Sequence, residues 1–463
     1  MELIIGEYKC YINPKTGVSL PIPRGYEARF REDIQYVLEE DMPPQSVLDP
    51  SYTYESVNIS LNLTKNCNLA CKYCFNKNKE NKSLNLDDAI KFIELVIKET
   101  PNAKQYVLDL AGSGEPLLEY EKILKIAEYA YNKSNEIHKH ILLHFVCNGT
   151  LLTEEKVKRL QDAGILFGVS IDGTKKAHNE NRVDRGGKGT FDTIIKNVKA
   201  IKHREYLGAA VTMSNGNIDI VNTVKFLSKY FSTISIKIVR PEDGERLNYE
   251  AMNEGYKELA KYILKEASKG KIDTLIKLLN GDDFFAKFIF RVFGNTKCFS
   301  RCDAGIGKFA LASNNDIYCC SGAVGIEPLK LGSLDTGIDF NLGRRLQATT
   351  FDNDNCNHCK YNAICSGECL VTLTTNKKVN TDMCHIKKYL IELSLYLKAE
   401  FMYKYEDLYE EIMKLLSEKA NRALGDNELI ELSKKTDKYS FMELKALKDI
   451  NVEAYNKVKE ELI

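Results

Sequence analysis

Three cysteines crowd one short stretch, "CNLACKYCF", which sets Cys67, Cys71 and Cys74 at CxxxCxxC spacing directly after the β-rich run "VNISLNLT". Thiols at this density suit metal, and two chemistries compete: a zinc knuckle completed by a distant His or Cys, or an iron-sulfur cube with one iron left without a protein ligand. The second would leave a metal position open to a substrate or cofactor. Farther on, "CNHCKYNAICSGEC" supplies Cys356, Cys359, Cys365 and Cys369, with Cys384 beyond it, and "CFSRCDAGIGKFALASNNDIYCC" supplies Cys298, Cys302, Cys319 and Cys320. Structural zinc would hold such a core-poor region together as well as redox-active clusters would.

The chain around these cysteines has 463 residues, enough for two or three domains, and its Lys+Arg and Asp+Glu totals balance at 65 each. That balance removes the whole-chain electrostatic case for nucleic acid or an anionic membrane as partner. No apolar run reaches the roughly 18 residues of a membrane helix, and "MELIIGEYKCY" lacks the succession of a signal peptide. The expected location is the cytoplasm, where 14 cysteines serve as metal ligands rather than as a disulfide framework.

Elements must position the first cysteine loop. From about residue 56 to 245, six β-rich runs ("VNISLNLT", "QYVLDLAG", "ILLHFVCNG", "ILFGVSIDG", "LGAAVTMSN" and "STISIKIVR") alternate with helical stretches, one of them starting at Thr153 and stopping at Gly164. Six strand-helix units predict an α/β fold with a parallel sheet, either a partial barrel or a doubly wound open sheet, and ligand sites in the loops after the strands. Residues 1–55 read as a small hairpin plus a helix, either a structural cap on the barrel or a leader-peptide-binding element working by strand addition. Residues 56–293 form the α/β domain with linker helices, 294–390 the cysteine-rich domain, and 391–463 a helical extension. From about 386 onward the helices read as charged and amphipathic, their charge a solvated face and their apolar side packed on the cysteine-rich region or on a partner, with Leu408, Ile412 and Leu415 on one face, Gly425 ending a segment and a capping box at Ser440 to Glu443.

The strand-end loops carry further features: Gly112, Gly114, Glu115 and Pro116 after the second strand, Asn148 and Gly149 after the third, and Ser170, Asp172 and Arg182 after the fourth. Each alone is an ordinary turn or a solvated loop. Taken together and in this order, residues 56–245 resemble the radical S-adenosylmethionine (SAM) superfamily. The resemblance implies a partial (β/α)6 barrel in which Cys67, Cys71 and Cys74 hold a [4Fe-4S] cluster whose fourth iron binds SAM. It implies adenine packing by Tyr73, contact of the methionine amino group with Gly114 and Glu115, and ribose or carboxylate contacts for Ser170 and Arg182, with Asn148 also in the SAM site. Ser113 stands where the family usually has glycine. The implied chemistry is reductive cleavage of SAM to a 5'-deoxyadenosyl radical that abstracts a hydrogen from the substrate.

The second cysteine concentration, CxxCx5CxxxC followed by a lone cysteine, resembles the SPASM extension of many such enzymes. It implies two auxiliary [4Fe-4S] clusters, one on Cys298, Cys302, Cys320 and Cys369 and one on Cys356, Cys359, Cys365 and Cys384. Cys319 could replace Cys320, and Cys10 and Cys147 read as ordinary buried thiols. Relatives of this kind act on peptides or proteins, which makes a precursor peptide or protein the expected substrate and a flavodoxin- or ferredoxin-type protein the expected reductant. The sulfatase-maturing branch typically has an Asp after the cysteine matched by Cys320; here it is Ser321. The favoured expectation is therefore a maturase of a ribosomally synthesised peptide, with a thioether cross-link as its product. Sulfatase maturation is the alternative, and a zinc-binding or electron-transfer protein the non-enzymatic one.

Overall fold

The computed structural model describes residues 1–41, 54–77, 79–202, 204–240, 246–295, 302–350, 353–423, 426–436 and 438–462. Cys298 and Gly425 lie outside the described residues.

All six expected strands form, as β4 (Ser56–Leu61), β5 (Gln105–Asp109), β6 (His140–Cys147), β7 (Ile165–Ser170), β8 (Leu207–Met213) and β9 (Thr233–Ile238), after three N-terminal strands, β1 (Glu2–Ile5), β2 (Tyr8–Ile12) and β3 (Ser19–Pro23). Strands β4 to β9 lie side by side in chain order, every pair parallel. A doubly wound sheet reverses its order at a switch point and carries helices on both faces. Sequential order with right-handed crossovers instead puts all crossover helices on one face, which decides for the partial (β/α)6 barrel. Side chains alternate accordingly. Tyr106, Leu108, Ile141, Phe145 and Val169 are buried against the helices, and Phe145 stacks on Phe167 at 5.4 Å between ring centres. The other parity faces inward.

The cysteine-rich region continues the same sheet, which turn-rich composition had not suggested. β10 (Lys308–Leu311) pairs parallel with β4, placing Ala310 opposite Ser60, and β11 (Asp316–Tyr318), β12 (Lys330–Ser333) and β13 (Gly337–Ile338) follow antiparallel, giving a ten-stranded sheet. These strands are two to four residues long, too short to display a periodicity of their own.

Two expectations about the ends change. The N-terminal hairpin is a three-stranded antiparallel meander, because Gly6, at φ +60°, turns β1 back as a separate strand. The meander packs on the helix Thr381–Lys404: the Tyr8 hydroxyl donates to Glu400 Oε1 (3.0 Å), Lys398 Nζ to the Ser19 carbonyl (2.8 Å), and the Tyr403 hydroxyl to the Pro21 carbonyl (3.0 Å). That helix is no surface amphipath. It runs unbroken across the boundary expected at 390/391, and Leu390, Ile391, Leu395, Leu397 and Phe401 are wholly buried with Lys387, Lys398 and Glu400 among them. Its charges misled the reading because each is partnered inside the protein, as buried charges must be.

Farther on, Ile412 and Leu416 are buried as the expected face requires. The last three helices, Asn427–Ser433, Phe441–Ile450 and Val452–Leu462, enclose a small core of Leu429, Leu432, Phe441, Leu444 and Tyr455. The capping box at Ser440 and Glu443 is present. This unit docks on the barrel helix Tyr120–Ile137, with the Met442 amide donating to Asn135 Oδ1 at 3.0 Å and His138 Nδ1 3.1 Å from Ser433 Oγ.

Candidate active site

The loop carrying Cys67, Cys71 and Cys74 leaves the end of β4 and is tied along its length to the segment after β7. The Ala70 amide donates to the Val183 carbonyl (2.8 Å) and the Lys72 amide to the Asn181 carbonyl (2.9 Å). Arg185 bridges the Cys67 carbonyl and Asn66 Oδ1, each 2.7 Å from Nη2, and Lys79 donates to the Leu69 carbonyl. All three cysteines are free thiols and half-buried. Burial pushes the Cys67 and Cys71 thiols up, while the Leu69 amide points at Cys67 Sγ from 3.4 Å. Unspent thiols on one pinned loop, with an N–H directed at a sulfur, fit the donor set of a cluster.

The turn after β5 is pressed onto this loop's base. A Cβ at Gly114 would stand 2.2 Å from the Asn66 carbonyl oxygen and 2.5 Å from that of Thr64, and one at Gly112 would stand 2.2 Å from Asn62 Oδ1. Glu115 is buried and its carboxylate serves the protein: Oε1 accepts from the Leu117 amide (3.0 Å) and Oε2 from the Asn148 amide (2.7 Å). Burial raises its pKa to about 7. Asn148 continues the chain of contacts, its Nδ2 donating to Asn68 Oδ1 on the cysteine loop (2.7 Å) and its Oδ1 accepting from Thr150. Glu115 and Asn148 thus lock the ends of β5 and β6 to the loop.

Ser170 closes β7, opposite Ala210 on β8. Two residues on, Asp172 is wholly buried; Oδ1 accepts from the Thr212 amide (2.9 Å), and Oδ2 from Arg182 Nε (3.0 Å) and the Tyr73 hydroxyl. The carboxylate that Arg182 meets is therefore one of the chain's own. Its guanidinium also lies 5.3 Å from the centre of the Tyr73 ring. Burial opposes that charge, but Asp172 keeps the Arg182 pKa above its ordinary value, while burial drives the Tyr73 hydroxyl up. Behind them His178 is buried, its Nδ1 accepting from the Asp172 amide (3.3 Å) and its Nε2 3.0 Å from Thr190 Oγ1; burial pulls its pKa down to about 4. Sequence reasoning missed Arg185 and His178. Both stand in the polar stretch "AHNENRVDRGG", where nothing local separates a clamp from a solvated residue.

Two further cysteine groups form. Cys356, Cys359, Cys365 and Cys384 all line one cavity of about 180 Å³, with His385 and Lys388 beside them. Cys302 is pushed up by burial and by the nearby Cys369 and Cys320. Cys319, fully buried in the core, shares a hydrogen bond with Cys320, which that bond and then Lys308 draw down to about 6. Among the described residues, no three His, Cys, Asp or Glu side chains are grouped to hold a single metal ion, and no helix is long and apolar enough to cross a membrane.

Residues 61–227 match the family model described as the Radical SAM superfamily. The chain is 27% identical over 344 residues to the serine-type anaerobic sulfatase-maturating enzyme of Bacteroides thetaiotaomicron, covering 65% of this chain and 80% of that one. It is 23% identical over 333 residues to the radical SAM cyclopropyl synthase TigE of Paramaledivibacter caminithermalis, 67% of each chain. Among solved structures, anSMEcpe with bound AdoMet and the Cp18Cys peptide superposes with a TM-score of 0.59 at 19% identity over 77% of this chain and 99% of that one, a likeness of fold. Strand order, the pinned three-cysteine loop and these matches agree: residues 61–227 are a radical SAM domain, in an enzyme related to the anaerobic sulfatase-maturating enzymes, and the match supports SAM and a [4Fe-4S] cluster as cofactors.

Proposed function

We propose that this enzyme modifies a ribosomally synthesised peptide, joining a peptide Cys to a carbon through a thioether, and that two auxiliary [4Fe-4S] clusters in a SPASM domain accept the electron that the product releases. The observation that carries the two-cluster part is the cavity shared by Cys356, Cys359, Cys365 and Cys384, apart from the group of Cys302, Cys320 and Cys369. Cys298 would complete the second group, and Cys319 is the weaker candidate because it is sealed in the hydrophobic core. Ser321, in place of the carboxylate typical of the sulfatase-maturing branch, favours a different substrate.

When bound, the cluster and SAM supply a 5'-deoxyadenosyl radical, the species that takes a hydrogen atom from the substrate. The chain's own part is orientation and exclusion of water. Cys67, Cys71 and Cys74 would hold the cluster on a loop that Arg185 keeps in place, leaving one iron for SAM. Tyr73, fixed by Asp172 and Arg182, presents its ring for the adenine; Ser170 stands beside the same strand ends, and the Gly114 turn meets the amino group. The meander at residues 1–41 offers the edge strand β1, with Ile4 68% exposed, for leader-peptide pairing. A flavodoxin- or ferredoxin-type protein would supply the reducing electron.

Anaerobic reconstitution with iron and sulfide tests the reading. The expected result is broad absorbance near 400 nm, 5'-deoxyadenosine release with SAM and a reductant, and loss of two hydrogens from a Cys-containing precursor peptide encoded nearby. Turnover of a sulfatase-derived Cys or Ser peptide to formylglycine, with no change in the precursor peptide, sinks it in favour of sulfatase maturation.

A further inference from the structure

The inner wall of the barrel carries a His–Asp pair outside the SAM-site contacts described above. Asp109 ends β5 and His144 lies opposite it on β6, with Nδ1 4.0 Å from Asp109 Oδ1. Asp109 Oδ1 is itself held by the Ala111 amide at 3.1 Å, immediately before the Gly112–Gly114 turn. Both side chains have the inward parity, since Leu108, Leu143 and Phe145 between them are buried against the helices.

Around the pair, apolar surface is uncovered where a sheet normally has none. β6 and β7 are interior strands of a ten-stranded sheet, and interior strands of a parallel sheet are covered on both faces. Yet on the inner face Leu166, directly opposite His144, is 50% exposed, Val146 is 37% exposed and the His144 side chain 36%. An apolar strip flanking a partly exposed His–Asp pair is the surface of a site for a partly apolar ligand. This strip lies on the inner face of the barrel sheet: Asp109 stands at the end of β5, three residues before Gly112, and His144 and Leu166 each stand four residues before the strand-end residues Asn148 and Ser170.

We propose that His144 is the proton acceptor of the peptide modification and Asp109 its positioning residue, with the peptide's reacting Cys side chain lying against Val146 and Leu166. The assignment rests on the proposed peptide reading. Nδ1 is the ring nitrogen nearer Asp109, at 4.0 Å, a charge contact longer than a hydrogen bond; that leaves the opposite nitrogen, Nε2, to meet the substrate. The chemistry balances as follows. One substrate C–H bond breaks and its hydrogen atom goes to the deoxyadenosyl radical. The peptide S–H breaks heterolytically, its proton going to His144 Nε2. The C–S bond forms, and the one surplus electron passes to an iron-sulfur acceptor of the auxiliary set. The same chain that lacks a carboxylate after Cys320 thus has a base elsewhere.

The test compares reconstituted wild-type enzyme with His144→Ala, Asp109→Asn and Asp109→Glu, using the precursor peptide and SAM. General bases contribute about 10²- to 10⁴-fold, so His144→Ala is expected to lower the ratio of cross-linked peptide to 5'-deoxyadenosine at least about 100-fold, with added imidazole restoring part of it. Asp109→Asn is expected to lower the same ratio and to change the tautomer balance of His144 seen by imidazole 15N NMR of the unloaded protein; Asp109→Glu recovers both in part. A ratio within about threefold of wild type in His144→Ala, or a loss that imidazole leaves untouched while peptide affinity is also lost, overturns the proposal. If the wild type converts only a sulfatase-derived Cys peptide, the substrate reading fails while the His144 ratio, measured on that peptide, still decides the base, because the same thiol proton must leave.

Discussion

Lys387 Nζ lies 2.8 Å from Glu368 Oε1, and each side chain is only 2% exposed. The pair stands between the two cysteine groups of the C-terminal region: Glu368 accepts from the amide of Cys369 (2.7 Å), and Lys387 sits one helical turn past Cys384. Burying two charges is costly, and removing one partner strands the other. Lys387→Met is therefore expected to destabilise the protein by about 3–5 kcal/mol, and Lys387→Met with Glu368→Leu to recover most of that. Anaerobic denaturant unfolding of the three proteins checks it. A single mutant as stable as wild type would show that the pair contributes little.

Gly114 has no room for a side chain. Its Cβ would meet two backbone carbonyls at 2.2 and 2.5 Å, and backbone cannot rotate away as a side-chain tip can. Gly114→Ala is expected to displace the base of the cysteine loop, at a cost of about 1–3 kcal/mol, and to weaken SAM binding. Equilibrium binding of SAM to the reconstituted variant, measured beside Gly164→Ala, where nothing lies within 4 Å, separates a local clash from general strain.

His178 gives the fold an acid limit. Its pKa is depressed from 6.5 to about 4 by burial, so between those values the unfolded chain binds a proton that the folded chain refuses, and stability falls as pH falls through that window. A full shift of this size corresponds to about 3 kcal/mol. Protonation also removes the Nδ1 acceptor of the Asp172 amide, which loosens the anchor of Tyr73 and Arg182. Unfolding free energies at pH 7 and pH 5 are expected to differ less in His178→Gln than in wild type; equal differences would assign the acid sensitivity elsewhere.

The cysteine groups divide the chemistry. Cys71→Ala is expected to abolish 5'-deoxyadenosine formation, and retained formation would refute its place in the SAM cluster. Cys365→Ala is expected to lower iron and sulfide content while sparing some uncoupled SAM cleavage and blocking peptide product; full product formation would argue against an electron-accepting role for that cavity.

The six barrel strands, the caps at Thr153 and Ser440, and the cysteine spacings were legible in the sequence, because each depends on contacts a few residues apart: alternation along a strand, one hydrogen bond at a helix end, ligands on one loop. What lay beyond it depends on partners distant in the chain. The charges of Lys387 and Lys398 read as a solvated helix until Glu368 and the carbonyls of Ser19 and Val292 are seen to bury them. Strands β10 to β13 are too short to announce themselves: β10 adds to the edge of β4, and β11, β12 and β13 pair in turn beyond it. Asp109 and His144 are 35 residues apart in sequence and become a pair only through the register of two parallel strands, which long-range packing sets and no local pattern encodes.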